Sequence, residues 1–160
     1  MDHTIFKYKI QYLFYSRTDM MIQHKNKTEG FTLDTCFLIN SWENPNIASY
    51  FKTYFNLNNK KIYINEVSIH EAERNGYDIS AIILKLRKIL SVKIIISEVT
   101  ITIRILGNKL ESYCQFLHPG DSAILAFAKT TRTTLVTYDK DLITSCEELG
   151  VQSLNLNTLR

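Results

Sequence analysis

Leu135-Val-Thr-Tyr-Asp-Lys-Asp-Leu142 is an apolar run that meets one acid, Asp139, and then a second, Asp141, where a helical pattern begins. A strand over residues 134–137 and a helix over 141–149, ended by Gly150, account for both halves of the stretch. Phe31-Thr-Leu-Asp-Thr-Cys-Phe-Leu-Ile39 repeats the arrangement: a short apolar strand runs into Asp34, and a helix over 35–42 follows. In open α/β sheets ligands bind outside the carboxyl ends of the strands, which makes an acid just past a strand a candidate site residue.

Outward from these two stretches, strands and helices alternate. Pro45 punctuates the chain, and Ile47, Tyr50, Phe51, Tyr54 and Phe55 then form one apolar stripe of a helix. Residues 61–65 and 92–97 read as strands. Residues 67–75 read as a helix closed by Gly76, and 79–90 as a helix capped by Asp78. Residues 99–117 fit both alternation and a helical face; the helical pattern covers more of the chain and is preferred, with His118, Pro119 and Gly120 breaking it. Asp121 then opens an apolar helix through residue 128, and 151–156 is the last strand. This order predicts right-handed crossovers and a parallel sheet covered on both faces, an α/β fold.

Composition narrows the class. At 160 residues the chain has room for one core, and 45% hydrophobic with 22% charged residues, 5 Gly and 2 Pro excludes disordered, collagenous and repeat chains. No apolar run approaches the roughly 20 residues that span a bilayer, and no secretory leader pattern is present. A soluble, cytoplasmic protein without membrane association is expected. Cys36, Cys114 and Cys146 are odd in number and form no Cys-x-x-Cys pair; small apolar fillers are expected rather than disulfides or a zinc site. The domain proper is expected over residues 31–160. Residues 1–30 form an extension in which Phe6, Tyr8, Ile10, Tyr12 and Phe14 alternate like a strand, 20–23 return as a hairpin partner, and 24–30 are a charged linker. The aromatic stripe is read as an added sheet edge or dimer contact in preference to a base-stacking surface.

Four acids fall at comparable places: Asp34 after the first strand, Glu71 on the helix after the second, Asp121 before the fourth and Asp139 after it. Like charges about 4 Å apart repel by about 1 kcal/mol in bulk water and about 4 kcal/mol at a surface-like dielectric. Hard divalent cations such as Mg²⁺ and Mn²⁺ prefer oxygen ligands and make such crowding tolerable. Taken singly, Asp121 and Asp141 at helix starts are more often caps than ligands.

Those two stretches, with Val67-Ser-Ile-His-Glu-Ala-Glu73 and Pro119-Gly-Asp-Ser-Ala-Ile-Leu-Ala126, resemble in order the four acidic motifs of PIN-domain nucleases. The resemblance covers residues 31 to 156. It implies a three-layer α/β/α sandwich, a Mg²⁺ or Mn²⁺ site, and endoribonuclease activity on RNA, as in the toxin half of VapBC-type pairs and in RNA-processing PIN proteins. It also implies pairing of two copies as a homodimer and, for a toxin, a small antitoxin partner that buries the acidic crevice. The extension at residues 1–30 departs from a compact toxin.

Carried over by residue, Asp34, Glu71, Asp121 and Asp139 resemble the metal-centring acids, with Glu73 a rival to Glu71. Asp141 resembles a frequent second acid, reaching metal through water or only capping its helix. Thr137 resembles the hydroxyl that supports the cluster, while Thr35 and Ser122 either hold metal-bound waters or satisfy helix ends. His70 and His118 lack metal-ligand spacing and receive no role. Setting the four acids aside leaves 12 acids against 19 bases, about +7, a balance suited to a polyanion. Lys60, Lys61, Lys85, Arg87, Lys88, Arg104, Lys109, Arg132 and Lys140 are the candidate contacts. The competing class is a PIN-like nucleic-acid-binding or scaffold module without turnover. No dinucleotide fingerprint, phosphate loop or nucleophile elbow is present.

Overall fold

A computed structural model of the protein describes residues 28–159. The expected strand at 6–15, its hairpin partner at 20–23 and most of the linker lie outside the described residues. The elements follow in order as β1 (Gly30–Leu33), α1 (Thr35–Glu43), α2 (Asn46–Tyr54), β2 (Lys61–Asn65), α3 (Glu66–Arg74), α4 (Ile79–Leu90) and β3 (Ile94–Ser97). Then come α5 (Ile101–Glu111), α6 (Pro119–Thr131), β4 (Thr134–Val136), α7 (Lys140–Glu148), β5 (Ser153–Leu154) and a 3₁₀ turn (Leu156–Leu159). The five strands are all parallel in the order β3-β2-β1-β4-β5.

Alternation along the strands decides which helices cover which face. Phe31, Leu33, Ile62 and Ile64 pack with α1, α2 and α4 into one core, where the Phe31 and Phe51 rings meet edge to face at 4.9 Å. Leu135 packs with α5, α6 and α7 on the other side, and Tyr63 meets the Phe127 ring of α6 at 5.3 Å. Each fully buried Leu, Ile or Phe contributes about 1.5–3 kcal/mol, so the two cores fix the sheet between its helical layers. The result is the expected three-layer sandwich.

Register then places the rim. Leu33 pairs with Ile64 on one side and Val136 on the other, which brings Asp34, Asn65 and Thr137 into the next row at the carboxyl end of the central strands. The ladder continues into that row, because the Asp34 N–H donates to Val136 O at 3.1 Å. At the opposite end of β1 a Cβ on Gly30 would run into the Lys61 carbonyl oxygen. Gly107 has a similar duty between layers: an added Cβ would stand 3.2 Å from the Ser122 backbone, so its absence lets α5 lie close to the first turn of α6.

Several boundaries depart from expectation, three of them by more than a residue or two. α5 stops at Glu111 rather than 117, although Cys114 and Leu117 stay buried in the same core after the helix ends. α6 begins at Pro119 and runs to Thr131, placing Asp121 inside its first turn; proline at the first helical position forfeits an N–H that has no helical partner anyway. β5 keeps two residues of the expected 151–156, because its partner among the described residues, β4, is three residues long. Thr28, expected in the linker, is 3% exposed, and its Oγ1 accepts the Thr134 N–H at 3.1 Å. No helix among the described residues is long and apolar enough to cross a membrane.

Candidate active site

Asp34 stands at the N-cap position of α1 yet makes no side-chain cap to that helix. Its carboxylate is instead held from the neighbouring strand: Thr137 Oγ1 donates to Asp34 Oδ2 at 2.7 Å, and the Cys36 thiol donates to the same oxygen at 3.0 Å. Asp34 is 4% exposed. Burial raises its pKa above the ordinary carboxylate range, against the lowering effect of these hydrogen bonds, and the Glu71 charge adds to the rise.

The other acids arrive from separate elements. Glu71, half-buried on α3, accepts the Thr35 hydroxyl at 2.6 Å through Oε2. Asp121 comes from the first turn of α6. Burial pushes its pKa up to about 6, with the charges of Asp34, Asp139 and Glu71 all adding to the rise and His118 opposing it. Four carboxyl groups spread over 106 positions of sequence therefore share one electrostatic field. Asp139 is exposed and caps α7, its Oδ1 accepting the N–H groups of Asp141 at 2.8 Å and Leu142 at 3.0 Å.

A profile of the PIN domain matches residues 31–146. The chain belongs to the PIN domain family. Members of that family are nucleases, and the fold agrees with solved relatives. VapBC2 from Rickettsia felis, solved with a DNA fragment from its promoter, is similar with a TM-score of 0.59 at 19% identity, over 78% of this chain and 97% of that one. VapBC-1 from nontypeable Haemophilus influenzae gives 0.59 at 17% identity, over 79% and 98%. FitAcB from Neisseria gonorrhoeae gives 0.53 at 16%, over 78% and 96%. No curated protein matches the chain.

Within this PIN domain the remaining candidates divide by position. Glu71 rather than Glu73 faces the cluster, since Glu73 is exposed and lies 3.4 Å from His70 on the outer side of α3. Asp141 is exposed and takes no part in the shift at Asp121. Ser122 Oγ lies 2.5 Å from Glu111 Oε1 and 2.8 Å from Pro119 O, so its single proton is spent within the helical layer. Several basic candidates are also engaged: Lys60 donates to Thr28 O, Lys85 to Trp42 O, Arg87 to Ile94 O, and Arg104 pairs with Glu66.

Sequence reasoning passed over two residues of this PIN domain. Cys36, read as an apolar filler, touches Asp34, and burial pushes its thiol up to about 12, which keeps the S–H available as a donor. Asn65 is fully buried in the same row as Asp34. Its Oδ1 accepts the Val67 N–H at 2.9 Å and so caps α3, while its Nδ2 finds no protein acceptor. Asn65 was legible as a polar residue ending a strand one position before a helix; nothing local distinguished Cys36.

The donor chemistry fits a hard cation, because Asp34, Glu71, Asp121 and Asp139 offer only carboxylate oxygens, and burial, with the charges of the other three adding to it, holds Asp121 above its ordinary range. Among the described residues no group of three or more His, Cys, Asp or Glu side chains is arranged closely enough to hold a metal ion.

Proposed function

We propose that this PIN domain is a Mg²⁺- or Mn²⁺-dependent endoribonuclease. The reading is supported by the row at the carboxyl end of the sheet, where Thr137 and Cys36 hold the buried Asp34 and Thr35 holds Glu71, while burial first and then the charges of Asp34, Asp139 and Glu71 raise the pKa of Asp121. The chemistry that a divalent ion would supply here is a lowered pKa of water and an offset to charge on the phosphate oxygens. The chain's own residues do the rest. Asp34, Glu71, Asp121 and Asp139 would hold the ion, with Thr137 orienting Asp34 and Thr35 orienting Glu71. Asp141 and Ser122 support helix starts beside the acids. The surplus of bases outside the cluster draws the RNA backbone by charge.

Asp34→Asn and Asp121→Asn test this directly. Both variants should keep the fold, since Asn still accepts a hydrogen bond and carries no charge, and both should lose Mn²⁺-dependent cleavage of single-stranded RNA. Unchanged cleavage in both would remove the assignment. The competing reading is a PIN module that binds without turnover. Calorimetry separates them: no heat of binding at millimolar Mn²⁺ supports the module.

The reading extends to partners. The chain is proposed to act in the cytoplasm as a homodimer whose acidic crevice is covered by a small antitoxin. This rests on the likeness to structures named VapBC and FitAcB. A small open reading frame adjoining the gene, whose product co-purifies and suppresses cleavage, is the expected outcome. An RNA-processing role predicts neither.

A further inference from the structure

We propose that the first turn of α1 is the positioning device of the acid cluster, with Thr35 fixing Glu71 and Cys36 fixing Asp34 to the β4–α7 connection that carries Asp139. This rests on the nuclease reading for its purpose, though not for its geometry.

Cys36 Sγ is contacted from both sides. It donates to Asp34 Oδ2 at 3.0 Å, and it accepts the Tyr138 N–H at 3.1 Å. Thr137 Oγ1 stands 3.3 Å away and itself bonds Asp34 Oδ2 at 2.7 Å. The same Thr137 oxygen accepts the Asp139 N–H at 3.1 Å. Residues 34 and 36 of the first motif are thus laced to 137, 138 and 139 of the last, across a sequence gap of about a hundred residues. One residue away, Thr35 Oγ1 donates to Glu71 Oε2 at 2.6 Å and ties α1 to α3. Thr35 is 5% exposed, which shields the donor end of that bond.

A side chain with both a donor and an acceptor is needed at 36. Alanine or valine would remove the sulfur that accepts the Tyr138 N–H and one bond to Asp34 at a half-buried position, while serine restores both roles in a smaller atom. At 35, valine matches the shape of threonine and deletes only the donor. Outer partners of metal ligands typically change metal affinity 10–100-fold when removed, and weaker sulfur bonds belong at the lower end of that range.

The test uses the full chain and Mn²⁺ alone as probe. Cys36→Ala and Thr35→Val should each weaken Mn²⁺ binding by about tenfold in calorimetry, with cleavage recovering at saturating Mn²⁺. Cys36→Ser and Thr35→Ser should stay within about twofold. A second measurement needs no metal: in Cys36→Ala the Tyr138 amide should exchange with solvent about tenfold faster, with amides of α4 unchanged. Wild-type affinity in both deletion variants, or unaltered Tyr138 exchange, overturns the device. If wild-type protein binds no Mn²⁺, the nuclease reading falls, and the lacing is then judged by Tyr138 exchange alone.

Discussion

Asp139 shows how one carboxylate serves two purposes. Its Oδ1 caps α7 through two backbone N–H groups, a contact of about 1 kcal/mol, while its charge bears on Asp121. The two roles separate by substitution. Asp139→Asn keeps a good cap and should unfold at nearly the wild-type denaturant midpoint, yet lose Mn²⁺ binding. Asp139→Ala should lose both, with about 1 kcal/mol less stability by urea unfolding. Equal stability of the two variants would show that the cap contributes nothing. Thr137, two residues earlier, is buried and bonded to Asp34, and it was singled out by its resemblance to the family motif; the thiol at 36 was not, because its role depends on Tyr138, a hundred residues away.

At the scale of elements, the acids are presented by places where backbone ends. Asp34 follows β1, Asp139 follows β4, and Asp121 lies in the first turn of α6, where the helix dipole favours a negative charge. Their alignment depends on strand register, and register depends on close approach. Gly30→Ala would force β1 away from the Lys61 carbonyl, and overpacking of that kind costs about 1–3 kcal/mol. The expected result is a lower melting temperature with the family's activity retained at low temperature; an unchanged melting temperature would mean that β1 shifts freely. Periodicity placed every helix and strand of the described residues but misjudged ends. The apolar spacing runs past the end of α5, because Cys114 and Leu117 continue it after the helix has stopped.

For the whole molecule, crowded carboxylates make stability depend on pH. Asp121 has its folded pKa raised to about 6 from an ordinary 3.8, so between those values the folded state holds more protons than the unfolded one. Stability from this group is fullest below about pH 4 and declines as pH rises toward 6, and the buried Asp34 acts in the same direction. Metal-free protein should therefore melt progressively lower across that window, and Asp121→Asn should flatten the decline. Excess Mn²⁺ should raise the melting temperature more at pH 7 than at pH 5, because the ion competes with protons for the same oxygens. An identical pH slope in Asp121→Asn would place that residue outside the cluster.

By itself the sequence determined the α/β class, the order of strands and helices and the acids at their junctions, because hydrophobic periodicity and turn chemistry are local properties of the chain. The choice of Glu71 over its neighbour Glu73 belonged to the tertiary structure, since it turns on which side of α3 meets Thr35. So did the lacing of Cys36 to Tyr138 and the shared field at Asp121. Those depend on strand register and helix packing between segments far apart in sequence, which no local pattern encodes.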